Sequence, residues 1–182
     1  TFEAGDKKKS IALTSIDMLT TAGSAGDVFG ALQSLPGTTT VGESGKLFVK
    51  GGDSRESKTY IDGSLVYVPY SSSSPNSSVR GRFSPWMFSG TMFSTGGYSA
   101  EYGQALSSVL SLQTHAMPVQ DQVNISLLSV GAELGGTKTW EKAALTSSIK
   151  YENLGPYMRL FPQNRNWEKE PLTMSGDLSF RL

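Results

Sequence analysis

Eleven consecutive residues, 172–182, alternate in polarity, and no other feature constrains the fold of this chain as tightly. Leu172, Met174, Leu178, Phe180 and Leu182 fall on one side of the alternation, with Gly176 in the same register. Thr173, Ser175, Asp177, Ser179 and Arg181 fall on the other. A side-chain period of two belongs to a β-strand with one apolar and one polar face. Ala143, Leu145, Ile149 and Tyr151 repeat the pattern against Lys142, Thr146, Ser148, Lys150 and Glu152. Residues 122–134 alternate too. Their apolar phase moves from Val123, Ile125 and Leu127 to Leu128, Val130, Ala132 and Leu134, which predicts a bulge or bend near Leu127. Strands of about 9–11 residues are what a tilted membrane β-strand requires, whereas globular strands more often have about 5–6. Periodicity alone leaves two architectures open, a barrel wall and an antiparallel meander with one wet face.

The preceding residues have a different texture. Residues 1–10 are polar and aperiodic and read as a tail. Ser15-Ile-Asp-Met-Leu opens a short helix with Ser15 as its cap. A second helix is predicted over 27–35: Asp27 starts it, Val28, Leu32 and Leu35 share one face, and Pro36-Gly37 stops it. Gly30 weakens that helix by up to about 1 kcal/mol. Leu47-Phe-Val-Lys50 reads as a short strand. Residues 58–61 and 64–68 form a hairpin around Asp62-Gly63, which supplies the positive φ values of a two-residue turn. Residues 69–82, with Ser71-Ser-Ser-Ser74, Pro75 and Asn76, read as a long exposed loop. Ser84-Pro85 starts a helical turn, and residues 91–94 and 109–112 are further strands. Gly contributes 20 of the 182 residues, as expected for turns and loops.

Several chemistries lack support. Sixteen basic residues balance sixteen acidic ones, so the chain has no electrostatic footprint for nucleic acid. With no cysteine there is neither a disulfide framework nor a thiol nucleophile. His115 is the sole histidine and has no acidic relay partner at a suggestive spacing, so it reads as a surface residue. Gly42-Glu-Ser-Gly45-Lys46 fails as a phosphate loop, because Thr40 and Leu47 occupy the positions of its first glycine and its Ser/Thr. Asp53, Glu56 and Asp62 are interleaved with Arg55 and Lys58, which favours a charge-balanced loop over a metal site. No catalytic residue, metal site or cofactor is expected, and the chain is not read as an enzyme. No run of about 18 apolar residues marks a membrane helix.

Five short motifs in order carry a resemblance. They are Ala31-Leu-Gln-Ser-Leu-Pro-Gly37, Leu47-Phe-Val-Lys-Gly-Gly52, Tyr60-Ile-Asp-Gly63, Tyr98-Ser-Ala-Glu-Tyr-Gly103 and Ser107-Ser-Val-Leu-Ser-Leu-Gln-Thr114. Their order and spacing resemble the plug domain of TonB-dependent outer-membrane receptors. Gly96-Gly97 ahead of Tyr98 gives a Bacteroidetes-type flavour. Thr95 and Lys50 stand where arginines are common in the family, so the family's plug-to-barrel arginine contact is not carried over.

The resemblance implies an α+β plug domain, a small mixed sheet with short helices, over 11–115. Antiparallel strands of a truncated transmembrane β-barrel follow over 116–182, about three of the family's roughly 22. Trp140, Tyr151, Tyr157 and Trp167 fit interfacial girdles. The implied function is active import of a nutrient (siderophore, cobalamin, glycan or peptide) across the bacterial outer membrane. The implied partners are TonB, acting on a segment upstream of this chain, outer-membrane lipid and a surface lipoprotein. The alternative is a β-rich surface or periplasmic adhesion or scaffold domain. Loops 41–46, 67–83 and 95–101 would face outward. Within them Tyr67, Tyr70, Arg80 and Arg82 are the ligand-binding candidates, since they offer stacking faces and fixed donor forks. Leu35, Pro36, Gly37, Gly51, Gly52, Asp62, Gly63, Gly97, Glu101, Tyr102 and Gly103 are expected to be structural.

Overall fold

The computed structural model describes residues 10–24, 26–42, 44–71, 79–115, 120–128, 131–161 and 172–181. The chain divides into two compact units, Thr1–Ala116 and Met117–Leu182.

In the first unit, strand β1 (Ile11–Leu13) leads into helix α1 (Ser15–Thr20). The cap is Thr14 rather than Ser15. Thr14 accepts from the Asp17 N–H, and the Asp17 carboxylate accepts from the Thr14 N–H at 2.9 Å, a reciprocal capping box. The Ser15 hydroxyl instead donates to the Phe88 carbonyl. Helix α2 (Val28–Leu32) is capped by Asp27 and ends before Leu35. The Thr38 hydroxyl donates to the carbonyls of Gln33 and Leu35, which fixes the chain in a turn there. Gly30 is required by packing, because a Cβ at this position would sit 2.6 Å from the Ser24 carbonyl oxygen.

Strands β2 (Thr38–Thr39) and β3 (Phe48–Val49) pair as a ribbon. Strands β4 (Ser57–Ile61) and β5 (Ser64–Val66) form the predicted hairpin, with Asp62 at φ 48° and Gly63 at φ 81°. After a 3₁₀ turn at Pro85–Met87 come β6 (Phe88–Ser94) and β7 (Ser108–Thr114). The sheet order is β1-β6-β7-β4-β5, mixed because β4 and β7 run parallel. Met18, Phe29, Leu32, Leu47, Phe88, Phe93, Leu110 and Leu112 fill the space between helices and sheet. Burial of each such side chain contributes roughly 1.5–3 kcal/mol.

The second unit is an antiparallel meander of β8 (Gln122–Leu128), β9 (Gly131–Trp140), β10 (Ala143–Asn153) and β11 (Leu172–Arg181), with a short helix at Gly155–Leu160. The phase change near Leu127 is a reversal of the chain, not a bulge within one strand. Leu128 pairs with Gly131, so 122–134 belongs to two strands, and the described residues of the unit form four strands rather than about three. Gly131 is forced at this reversal, since a Cβ there would lie 2.1 Å from the Tyr151 carbonyl oxygen.

The register aligns Ile125, Leu134 and Ile149 in one row, and Leu127, Ala132, Tyr151 and Met174 in the next. The large side chains of these rows lie uncovered: Leu127 is 83% exposed, Ile125 70% and Met174 70%. A water-soluble meander would turn such a face into its core. No helix among the described residues is long and apolar enough to cross a membrane.

Candidate functional site

The loop cluster of the first unit is built outward from Asp27. Its carboxylate caps α2 through the Gly30 N–H at 2.9 Å. It also accepts from the Gly81 N–H at 2.7 Å, across 54 residues of sequence. One buried side chain therefore fixes both a helix start and the base of the 69–82 loop. Gly81 has no room for a Cβ, which would meet Asp27 Oδ1 at 2.5 Å.

That loop is not open throughout. Tyr70 and Gly81 form an antiparallel bridge, with Ser71 N–H donating to the Arg80 carbonyl at 2.8 Å and Arg82 N–H to the Pro69 carbonyl at 2.9 Å. The serine-rich residues 72–78 lie outside the described residues. Gly45 packs against the backbone of Val79, so loop 41–46 and this stem are neighbours.

The four ligand-binding candidates occupy different environments. Tyr67 is 88% exposed, next to exposed Val68, and Val41 is exposed in its own loop. Tyr70 turns inward. Its ring lies 4.5 Å from Phe29, and its hydroxyl accepts from the Leu47 N–H at 3.1 Å. Desolvation pushes its phenol up to about 12, against a smaller opposing effect of the Leu47 bond. Arg80 is half-buried in the stem. Arg82 is exposed, its guanidinium 4.9 Å from the Phe83 ring centre. The stem thus brings Arg80 and Arg82 beside Tyr70, while Tyr67 precedes it on the approach to the loop.

The glycine-rich motifs close other turns. Gly37, Gly51 and Gly97 have positive φ. Gly52 abuts Ser107, whose Cβ would lie 2.7 Å from an added Cβ. Leu35 packs partly buried against the core, and Pro36 follows it into the turn. The Tyr98 hydroxyl donates to the Ala105 carbonyl at 2.8 Å, which folds the segment carrying Glu101. Tyr102 meets Tyr60 edge-on at 5.0 Å, and the Tyr60 hydroxyl donates to the Gly103 carbonyl. The positive φ of this turn falls on Gln104, next to Gly103. Lys50 donates through Nζ to the Thr95 carbonyl at 2.7 Å, so these two residues meet each other.

Two connections have no counterpart in the sequence reading. Asp62, read there only as a turn residue, also accepts from the Thr114 N–H at 2.9 Å and from the Thr114 hydroxyl, clipping the hairpin to the end of β7. In the second unit, Asp121 accepts from the Thr139 N–H and hydroxyl, both at 2.8 Å, and pairs with Lys138. The two residues of each pair are far apart in the chain, so neither spacing nor period signals the contact. Asp53 pairs with Arg55 at 3.1 Å, in line with a charge-balanced loop. Among the described residues no three His, Asp or Glu side chains gather as a metal site. Trp140 and Tyr151 are exposed on the apolar face, whereas the Tyr157 side chain and Trp167 lie outside the described residues.

A mixed five-stranded sheet with short helices, followed by an antiparallel meander of long strands, is the fold of a plug domain with partial barrel strands of TonB-dependent receptors. Solved structures that share it include the following two. One is a doubly substituted variant of the ferric enterobactin receptor PfeA from Pseudomonas aeruginosa, 12% identical, with a TM-score of 0.56 over 100% of this chain and 32% of that one. The other is the siderophore receptor PirA from Acinetobacter baumannii, 12% identical, with a TM-score of 0.55 over 84% of this chain and 26% of that one. The chain thus spans about a third or less of the length of these structures. No family model and no curated protein matches the sequence.

Proposed function

We propose that this chain is the plug and opening barrel wall of an active transporter in the bacterial outer membrane. In this reading residues 11–115 block the lumen of the assembled barrel and 116–182 begin its wall. TonB supplies the work from the periplasm, and a nutrient binds the outward loops. The observation that carries the reading is the uncovered apolar face of β8–β11, together with strands β9, β10 and β11 of 10, 11 and 10 residues. Such a face is stable against hydrocarbon and costly in water.

The names of the two similar structures make a ferric siderophore the first substrate to test. The motif around Gly96-Gly97-Tyr98 supports a Bacteroidetes-type receptor, for which a surface lipoprotein partner would be sought. Tyr67 and Arg82, exposed beside the anchored stem, are the proposed ligand contacts.

The test is uptake of labelled ferric siderophores, with cobalamin, glycans and peptides as parallel arms, by cells carrying the full-length protein, with and without TonB. Energy-dependent uptake that disappears without TonB is the expected result. A protein released from membranes by alkaline carbonate, with no TonB-dependent uptake of any arm, would replace this reading with that of a surface or periplasmic adhesion domain.

A further inference from the structure

Among the described residues the apolar face of the second unit carries a notch. The register places Val123, Gly136, Ser147 and Leu178 in a single row across the four strands. Val123 and Leu178 stand out, each 74% exposed. Between them Gly136 has no side chain and Ser147 has a small one. With strands about 4.8 Å apart, this leaves a gap roughly two strands wide. It opens into a groove of about 400 Å³ that is also lined by Leu145 and by the Asp121–Lys138 pair. Gly136 is not demanded by backbone packing, since an added Cβ would meet only the Gln122 carbonyl oxygen at an ordinary 3.6 Å. The emptiness is therefore not a by-product of a crowded backbone.

Charge appears at one end of the groove only. Lys138 is 60% exposed at its side chain and Asp121 50%. Thr139 holds Asp121 in place with two hydrogen bonds, so Lys138 is positioned as well as paired. An ammonium has three donors, and its bond to Asp121 uses one. In the other direction the next row of the same face is Leu134 paired with Ile149. Trp140, two residues beyond Lys138 on the same face, marks the polar end of the strand.

We infer that this groove seats one phospholipid with a zwitterionic amine head group. The phosphate sits on Lys138, the head-group ammonium beside Asp121, and an acyl chain lies over Gly136 and Ser147. Charge complementarity selects the occupant. A net-neutral Lys–Asp pair offers little to a wholly anionic head group, but matches one that carries both signs. The inference rests on the proposed lipid-facing role of this face.

The test uses the full-length protein, purified in non-ionic detergent, stripped of lipid and titrated with phosphatidylethanolamine or phosphatidylglycerol under native mass spectrometry. Expected is preferential retention of one phosphatidylethanolamine. Lys138→Gln, which removes one near-surface cationic contact, should lower retention about fivefold. Gly136→Leu, which fills the notch, should lower it at least as much, while Lys138→Arg keeps it. Equal retention of the two lipids, retention unchanged in both weakening variants, or a dimer of the protein occupying the face in place of lipid would overturn the inference. Insertion into vesicles, read by heat-modifiable gel migration, is scored separately. A protein that inserts but shows no lipid preference sinks this seat alone, whereas one that never inserts sinks the transporter reading.

Discussion

Replacing Tyr70 with phenylalanine separates two roles that its sequence position confuses. The substitution keeps the ring on Phe29 and removes only the hydroxyl that accepts from the Leu47 N–H. Leu47 is 1% exposed, so no solvent water replaces the lost acceptor. A buried donor left unsatisfied costs about 1–3 kcal/mol. Part of that is offset by no longer burying the phenol oxygen, which leaves about 1–2 kcal/mol. If Tyr70 anchors the loop, the loss is local: amide exchange of the peptide spanning Leu47 accelerates about fivefold to thirtyfold. Tyr67→Phe is the control, because Tyr67 is 88% exposed and its hydroxyl is not held in a desolvated site. Hydrogen-exchange mass spectrometry on the two variants gives both numbers. Unchanged protection at Leu47 in Tyr70→Phe, together with weakened ligand binding, would refute the anchoring argument and return Tyr70 to the recognition surface.

Alkaline pH probes the same group. Desolvation raises the Tyr70 phenol from about 10 to about 12, so its contribution to stability is complete below pH 10 and is lost between pH 10 and 12; tyrosinate absorbance and circular dichroism should change together in that window. Gly81→Ala forces a Cβ into Asp27 Oδ1 and should cost about 2 kcal/mol through loss of that charge-assisted bond, read as faster proteolytic nicking of the 69–82 loop. Thr114→Val removes the hydroxyl donated to Asp62 and should loosen the β4–β5 hairpin by about 1 kcal/mol, read as faster amide exchange at its turn. Ile149→Arg places a charge midway along β10 on the apolar face and should impair membrane insertion by about 2–4 kcal/mol, measured as a reduced folded fraction in vesicles.

What the sequence made legible follows physical range. Asp62-Gly63 was readable because a two-residue turn needs positive φ at adjacent positions, and both have it. Strands β10 and β11 were readable because each is long enough for its period to show. The reversal between β8 and β9 was not, since a bulge and a tight turn invert the phase alike. In the sequence Ser129 is an ordinary turn former and Val130 a strand former, so neither residue type signals a reversal. The α1 cap was recoverable: an acid three residues after a hydroxyl selects Thr14, paired with Asp17, over Ser15. The inward turn of Tyr70 was beyond local reading, because Phe29 and Leu47 belong to other elements.

The same distinction bears on which residues can recognise a ligand. A side chain already held in a desolvated site must break its contacts before it can make new ones, and the penalty cancels much of what a ligand hydrogen bond returns. Tyr70 and Asp27 are committed in this way: the carboxylate serves two backbone donors, and the phenol serves a third. Tyr67 holds a large exposed face, and the guanidinium of Arg82 rests on Phe83 with its charge still accessible. A rigid stem with an aromatic and a cation displayed around it reduces the ordering cost of binding, because the backbone that carries them is already fixed at its base. On the proposed transporter reading, recognition is therefore best assigned to the residues these anchors hold in place, and not to the anchors themselves.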